Sequence, residues 1–300
     1  MKDDSIRILE SCGFNAHIGL RVLEQKSLIT ISDNDGLRFH DHIEEMGWNI
    51  VRGMHPLEPS KHNRLWIKEE IEDILVNELG TEVTRSIKLK YTSLHPTTIM
   101  RGLRKMSELR FLSVQSLYCN NGDIEWAVDE VSQYLPDALQ SLDWPEYPFR
   151  SLPQTFQANK LVNLEMVEGN ISELWEGGEK KVLNKIRFID LRFSKLETFD
   201  LSMTPNLETL DLEGCCDFFK LNIPVECPKL KFLHLSWSKG TKMQAFVTAK
   251  TCSEYEALLK ESQCLTIRNP SLGENRQKVK YVESVLNINL NGTHNCHCLQ

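Results

Sequence analysis

The chain has 300 residues, of which 41% are hydrophobic and 26% charged, and its formal net charge is -7. This composition is typical of a globular chain long enough for two small domains, and the acidic excess argues against a general nucleic-acid-binding surface, which needs clustered lysine and arginine. No stretch approaches the roughly 18 uninterrupted apolar residues of a membrane helix, and the first residues lack a signal peptide's apolar core. With nine scattered cysteines, these features favour a reducing compartment. We expect the cytoplasm, and the nucleus as an additional location.

Residues 1–62 predict a winged-helix-like unit, in which helices are followed by a two-stranded wing. A short apolar stripe at helical spacing precedes a predicted strand at 27–32. The sequence Asn-Asp-Gly at 34–36 supplies residues that tolerate positive φ in a tight turn. The segment 37–39 is then expected to pair back on the first strand.

A further helix is predicted after this hairpin, because Ile43, Met46 and Ile50 recur at spacings of three and four and Asp41 is available as the N-cap. Winged-helix units often bind DNA through one helix in the major groove. Here the glutamates at 44–45 lie on the outer face of that helix, where they would repel phosphate. We therefore expect no nucleic-acid partner.

Residues 63–108 are interpreted as a linker helix and a capping strand. Gly80 is expected to end the helix, and the segment 83–89 alternates like a strand that covers the first repeat. A terminal repeat needs such a cap because its end face is otherwise exposed apolar surface. The apolar positions of the helix are Ile67, Ile71, Ile74, Leu75 and Leu79.

Residues 109–239 carry a repeated pattern, LxxLxL, in which other apolar residues also occupy the anchor positions. The pattern predicts a short strand with alternate side chains buried, and it is the signature of a leucine-rich repeat. In the unit at 207–215 the ninth position is Cys215, which is expected to tie the following turn to the backbone. The anchors are Leu109, Leu112 and Val114; Leu139, Leu142 and Trp144; Leu161, Leu164 and Met166; Ile186, Ile189 and Leu191; Leu207, Leu210 and Leu212; and Leu230, Leu233 and Leu235.

The spacing of these units supports the repeat interpretation. From the second unit on, the first anchors are residues 139, 161, 186, 207 and 230, so the steps are 22, 25, 21 and 23 residues, within the roughly 20 to 29 of this class. The alternative, scattered strands of an ordinary sheet, does not explain five units in register. The sequence thus predicts an α/β protein in which the winged-helix-like unit precedes a short leucine-rich-repeat solenoid with a parallel concave sheet.

The residues between the anchors are expected to face the concave side and to bind a protein partner. These residues form a strip that contains more acidic than basic side chains, and it would complement a basic surface on the partner. In such a contact, charge determines the association rate and the specificity of binding more than its affinity. The alternative is that these strand positions are simply solvated. The predicted partner-binding residues are Asp143, Glu165, Asp190, Arg192, Asp211, Glu213 and His234.

Five aromatic residues near the anchors allow two interpretations, a ligand-binding cage or packing of the repeat core. Core packing is favoured because several of them occupy or adjoin anchor positions. They are Trp144, Tyr147, Phe149, Phe156 and Trp175.

Residues 240–300 lie outside the repeat pattern. We predict a helix at 254–260 and a strand at 281–290, and the segment either replaces further repeats or covers the last one. His294, Cys296 and Cys298 resemble zinc ligands, but their spacing fits neither a CxxC pair nor a usual zinc finger. We therefore expect no metal site.

The chain resembles plant intracellular disease-resistance receptors of the TIR type, from the end of their nucleotide-binding ARC region into their leucine-rich repeats. The resemblance covers about residues 5–238 and includes LDWPEYP at 142–148 and PNLETLDLEGC at 205–215. Further matching segments are 11–23, 26–32, 39–52, 64–66, 77–82, 151–153, 174–177 and 189–194.

This resemblance implies a role for His40 and Asp41, because in the family a Met-His-Asp motif senses bound ADP. Phe39 replaces the methionine here. Without the resemblance, the residues themselves favour another interpretation, in which Asp41 only caps a helix and His40 is an exposed residue at the end of a strand. A phosphate-binding loop needs GxxxxGK followed by Ser or Thr, yet none of the 15 glycines precedes a lysine. We thus expect no cofactor on the isolated chain, and ADP contact only where another chain supplies the rest of the pocket.

The predicted function is the protein-recognition module of a plant immune receptor, truncated and lacking its TIR domain and phosphate-binding loop. Its expected partner is a pathogen effector, a guarded host protein or another resistance receptor. The alternatives are an ADP-responsive switch fragment that works with another receptor chain, and a non-functional gene remnant. An enzyme is not expected, because no nucleophile with a nearby base and no metal cluster is apparent.

Overall fold

The computed structural model describes residues 6, 9, 14–31, 37–53, 55–117, 133–178, 180–222 and 229–236, together with strands at 242–246, 265–268 and 286–289. The first unit contains helix α1 (Ala16–Gln25), strands β1 (Ile29–Ile31) and β2 (Leu37–Phe39), and helix α2 (Asp41–Gly53). The two strands pair antiparallel, as predicted. The turn expected at 34–36 lies outside the described residues.

The start of α2 differs from the prediction by one position. The helix begins at Asp41, and the N–H groups of Ile43 and Glu44 both donate to the carbonyl of His40. Asp41 therefore lies in the first turn rather than at the N-cap. Its carboxylate still suits this position, because the helix dipole favours negative charge near the N-terminus.

A bridge of short elements follows, and its helix ends earlier than predicted. Helix α3 stops at Val76 because Glu78 adopts a left-handed conformation (φ 52°) and the N–H of Leu79 donates to the carbonyl of Ile74 at 2.9 Å, a C-terminal capping arrangement. Gly80 is thus not the residue that ends the helix. The bridge consists of a 3₁₀ turn (Pro59–Lys61), β3 (Arg64–Leu65), α3 (Lys68–Val76), β4 (Ser86–Thr92), α4 (Pro96–Gly102) and a second 3₁₀ turn (Leu103–Lys105).

The remaining described strands form two sheets. They are β5 (Phe111–Ser116), β6 (Ser141–Asp143), β7 (Asn163–Glu165), β8 (Phe188–Asp190), β9 (Thr198–Asp200), β10 (Thr209–Glu213), β11 (Lys220–Asn222), β12 (Phe232–Ser236), β13 (Lys242–Phe246), β14 (Leu265–Arg268) and β15 (Leu286–Asn289).

The larger sheet has nine strands in the order β3-β4-β5-β6-β7-β8-β10-β12-β14. All described neighbours in it pair parallel except β12 and β14. The strands predicted from the anchors therefore lie side by side in parallel, and β4 covers β5 as the predicted cap, three residues later than expected at its start.

A second sheet of four strands, in the order β9-β11-β13-β15, was not predicted. Its strands β9, β11 and β13 are parallel, and β15 joins them antiparallel. Two further 3₁₀ turns, Glu176–Gly178 and Leu201–Met203, lie in the connections. Strand β15 falls within the segment predicted as a strand in the tail, and β14 covers the edge of β12. The predicted helix at 254–260 and the zinc-like residues of the tail lie outside the described residues.

The core of the large sheet is built from the predicted anchors, which are all buried. One inward row runs across the strands in register: Leu112, Leu142, Leu164, Ile189, Leu210 and Leu233. Burying such a side chain contributes roughly 1.5 to 3 kcal/mol. The five aromatic residues near the anchors are at most 3% exposed, which confirms their interpretation as core packing.

Cys215 makes the predicted tie between its turn and the backbone. Its Sγ donates to the carbonyl of Leu191, 3.0 Å away in the preceding unit. Burial raises the pKa of this thiol to about 11, so it keeps the proton that it donates.

Side-chain contacts between described residues join the first unit to the rest of the chain. The rings of Phe14 and Phe111 lie with centroids 6.3 Å apart, Trp48 stacks on Trp66, and Arg52 forms an ion pair with Glu70 on α3. Within the part of the chain that the structure describes, no helix has the length and apolar character needed to cross a membrane.

Candidate protein-binding face

The outward face of the large sheet carries a polar row whose members occupy equivalent positions on neighbouring strands. It consists of Lys88, Ser113, Asp143, Glu165, Asp190, Asp211 and His234, and consecutive members are register partners. The row exists because strand residues alternate between faces and the anchors on either side point inward. We call Asp143, Glu165, Asp190 and Asp211 the carboxylate row; all four are half-buried.

The later half of the carboxylate row is paired with basic groups of the same chain. Arg192 donates through Nε to Asp190 Oδ1 at 2.9 Å and through Nη2 to Asp190 Oδ2 at 2.8 Å, which is a bidentate contact. Its Nε also lies 3.8 Å from Asp211 Oδ2. The hydrogen bond to Asp190 raises the pKa of Arg192, so the guanidinium stays charged.

His234 completes this paired half. Its Nδ1 lies 3.3 Å from Asp211 Oδ1 and 3.8 Å from Glu213 Oε2. These three side chains offer ligand atoms within 4.8 Å of one another, a donor set that a divalent transition metal accepts. Arg192 already contacts the same Asp211 carboxylate, however, and its positive charge opposes a cation at this position. We therefore interpret the cluster as an ion-pair network.

The earlier half of the row has no such pairing. Asp143 accepts a hydrogen bond from Ser113 Oγ at 2.7 Å, and burial raises the pKa of Asp143. Burial, with the neighbouring Asp143 and Asp190 carboxylates, raises the pKa of Glu165 to about 7. Among the residues that the structure describes, neither Asp143 nor Glu165 has a basic side chain within 4.0 Å.

A second outward row, two residues upstream of the first, is partly aromatic. It consists of Phe111, Ser141, Asn163, Phe188, Thr209 and Phe232, again in register. Asn163 and Phe188 are each 7% exposed, and the other members are half-buried. This row was not predicted, because the predicted partner-binding residues were all charged or ionisable. Its members occupy the position before the second anchor of each repeat, which is the sequence signal that locates them.

The predicted site residues thus fall into two groups. All seven predicted partner-binding residues lie on the sheet face or at the ends of its strands. His40 and Asp41 lie in the first unit at the start of α2, where both are exposed, and the ring of His40 stacks on that of His42 at 5.5 Å. These two groups occupy different elements of the fold.

The described architecture is that of a mixed α/β protein in which a helix-hairpin-helix unit precedes a large parallel sheet. Residues 2–55 match the family model described as the winged-helix domain of Roq1-like disease resistance proteins. The first unit is therefore a winged-helix domain, as the sequence predicted.

Curated relatives extend this similarity over most of the chain. It is 32% identical over 244 residues to TMV resistance protein N of Nicotiana glutinosa, covering 80% of this chain and 20% of that protein. It is 33% identical over 243 residues to disease resistance protein RPV1 of Vitis rotundifolia, covering 74% of this chain and 17% of that protein. It is 35% identical over 214 residues to disease resistance protein RPP2B of Arabidopsis thaliana, covering 69% of this chain and 18% of that protein. The chain is homologous to plant disease resistance proteins, which confirms the resemblance seen in the sequence. It spans about a fifth of the length of these relatives.

Proposed function

We propose that this chain is the protein-recognition part of a plant immune receptor, and that it binds its partner through the outward face of the large sheet. The relatives are named as disease resistance proteins, which supports an immune role. The repeated parallel strands with buried anchors support a leucine-rich-repeat solenoid over residues 109–239. In this proposal, the domains are a winged-helix end of the ARC region (1–62), a linker and cap (63–108), the repeats and a tail (240–300).

The main observation in support of this proposal is that equivalent outward side chains of neighbouring strands lie side by side in register. Each strand from β5 to β12 in the large sheet contributes one residue to the polar row and one to the partly aromatic row. Several of these side chains are held by hydrogen bonds within the face, such as Asn163 Nδ2 to Ser141 Oγ at 3.2 Å. A surface ordered before binding loses less conformational entropy when a partner arrives.

The partner in this proposal is a protein: a pathogen effector, a guarded host protein or another resistance receptor. The chain acts by binding rather than by catalysis. Contact of His40 and Asp41 with ADP is a separate proposal, which rests on family resemblance and requires a phosphate-binding loop from another chain.

Site-specific crosslinking tests the use of the outward face. The full chain carries the photocrosslinker p-benzoylphenylalanine at Thr209 on this face or, as the control, at the exposed Lys160 in the connection between β6 and β7. In plant-cell extract we expect one protein adduct from the Thr209 position that excess unlabelled chain competes away, and none from the Lys160 position. Equal adducts at both positions, or no competed adduct at Thr209, would contradict the proposal.

A further inference from the structure

The second sheet borders a pocket of about 450 Å³, a volume within the range of small-molecule sites. Strands β9 and β11 form one wall, where Thr198 and Asp200 lie beside their register partners Lys220 and Asn222. The segment 173–180, between β7 and β8, contributes much of the remaining lining. None of the lining residues belongs to the two outward rows of the large sheet, so this second-sheet pocket is separate from the proposed protein-binding face.

The lining of the second-sheet pocket includes a buried hydrogen-bond donor that lacks an acceptor. Trp175 is 1% exposed, and its indole Nε1 has no hydrogen-bond partner among the residues that the structure describes. The ring itself is well packed, with Lys181 Nζ over it at 5.7 Å from the centroid. A tryptophan N–H can only donate, and an unpaired buried donor is unfavourable. An acceptor atom on a molecule bound in the pocket would satisfy this N–H.

The two carboxylates of the lining already have partners within the chain. Asp200 accepts hydrogen bonds from Lys180 Nζ at 2.8 Å and from the N–H of Ser202 at 2.9 Å. Partial burial acts in the opposite direction, but these bonds and one from Asn222 lower the pKa of Asp200 to about 2. Glu173 accepts from two backbone N–H groups of the turn that follows it, at 3.3 and 3.4 Å. The pocket therefore does not favour a cationic ligand.

Lys220 gives the pocket a positive charge that the chain does not balance locally. Its side chain is exposed, and no carboxylate of the described residues lies within 4.0 Å of its Nζ. The exposed Thr198 beside it adds a hydroxyl group. The ammonium of Lys220 and the indole N–H of Trp175 are both donors only. These groups favour a ligand that brings acceptor oxygens and a negative charge.

We propose that the second-sheet pocket binds a small organic carboxylate with an apolar body. Lys220 pairs with the carboxylate, the Trp175 N–H donates to one of its oxygens, and the apolar body packs against Leu174 and Met203, since the accessible lining is mostly apolar. Charge-assisted hydrogen bonds are roughly twice as strong as neutral ones, so a carboxylate is preferred over an amide of the same shape. This inference does not rest on the proposed function.

The turn that follows Trp175 gives the carboxylate access to the buried N–H. Gly177 and Gly178 both adopt left-handed conformations, with φ of 68° and 71°, and a Cβ added at either position would meet no atom within 4 Å. The hydrogen bonds from this turn to Glu173 are long for N–H···O contacts. The turn is therefore loosely packed, and we expect a small movement of it to expose the indole edge while β9 and β11 stay in place.

The test is an NMR titration of the full chain carrying nitrogen-15-labelled tryptophan, with 3-phenylpropionate as the probe. The chain has six tryptophans, and the indole resonance of Trp175 is the one that disappears in W175F. We expect 3-phenylpropionate to shift this resonance saturably. The matched probes are 3-phenylpropanamide, 3-phenylpropylamine and propionate, which lack the negative charge, reverse it or lack the apolar body. We expect each to bind about tenfold more weakly or worse.

Lys220→Met separates recognition of the carboxylate from a general effect on the pocket. We expect K220M to bind 3-phenylpropionate about tenfold more weakly and to bind the amide as before, because only the charged contact is lost. The control K185M removes an exposed lysine that does not line the pocket, and it should keep the full preference for the carboxylate.

Three results would each overturn this inference: no saturable shift of the Trp175 resonance, an equal shift with the amide or the amine, or an undiminished preference for the carboxylate in K220M. The crosslinking experiment at Thr209 uses a different face of the molecule. Competed adducts there without a Trp175 response would remove only the carboxylate site, and a Trp175 response without adducts would count only against the proposed function.

Discussion

The indole of Trp48 on α2 stacks on that of Trp66, with ring centroids 6.0 Å apart and an interplanar angle of 19°. Beside this pair, Arg52 Nη2 lies 2.8 Å from Glu70 Oε1. These contacts fasten the winged-helix domain to the bridge, although α2 has no buried residue of its own among its 13 residues. The attachment of this helix therefore depends on a few partly exposed side chains.

Trp66→Ala is expected to loosen α2 while leaving the large sheet intact. Aromatic pairs contribute about 0.5 to 1.5 kcal/mol beyond area burial, so amide exchange in α2 should accelerate about fivefold. Hydrogen exchange with mass spectrometry measures this, and Tyr91→Ala, at a 56% exposed position, is the control. Faster exchange in β7 and β8 as well would show that Trp66 supports the whole fold instead.

Leu210→Ala and Thr209→Ala form a matched pair on strand β10. Leu210 is 0% exposed, whereas Thr209 is a half-buried residue of the outward face. We expect Leu210→Ala to cost about 2 to 5 kcal/mol through lost burial and cavity formation, and Thr209→Ala to be nearly silent. Urea denaturation measures both values, and equal midpoints would invalidate the assignment of faces.

Glu165→Gln should change the pH dependence of stability. The pKa of Glu165 is about 7 in the folded chain against an ordinary value of 4.5, so the folded state holds the proton more tightly than the unfolded state. This contribution is fully present below pH 4.5 and is lost as the pH rises through 7. Glutamine resembles the neutral carboxyl group and does not ionise.

We therefore expect the free energy of unfolding of E165Q to equal that of the original chain at pH 4 and to exceed it at pH 8 by about 1 to 2 kcal/mol, after allowance for solvent screening. Urea titrations at both pH values measure the difference. The control is Glu197→Gln, at an exposed position. Equal destabilisation by E165Q at pH 4 and pH 8 would contradict this expectation, because it would mean that Glu165 is stabilising when ionised.

Isothermal titration calorimetry of the isolated chain with ADP and with ATP is expected to show no binding. His40 and Asp41 are exposed, and no glycine of the sequence precedes the lysine of a phosphate-binding loop. Micromolar binding would contradict this expectation and favour the ADP-responsive switch. His40→Ala would then distinguish contact through this residue from binding elsewhere.

The alternation of apolar and polar residues, with the repeat spacing, determined the strands of the large sheet from β5 to β12, their parallel order and their buried anchors. This worked because strand periodicity is local and because repeats of similar length bring equivalent positions side by side. The order of helix, hairpin and helix was equally readable, since the turn-forming residues and the helical spacing lie within a few positions of each other.

The tertiary structure alone decided which charges meet. Asp211 and His234 are 23 residues apart along the chain yet lie 3.3 Å apart between strands, and no local pattern encodes that distance. The end of α3 at Val76 and the second sheet were likewise not predicted. The raised pKa of Glu165 depends on how much water the neighbouring units remove and on carboxylates from two other strands, and both arise only once the strands pack in register.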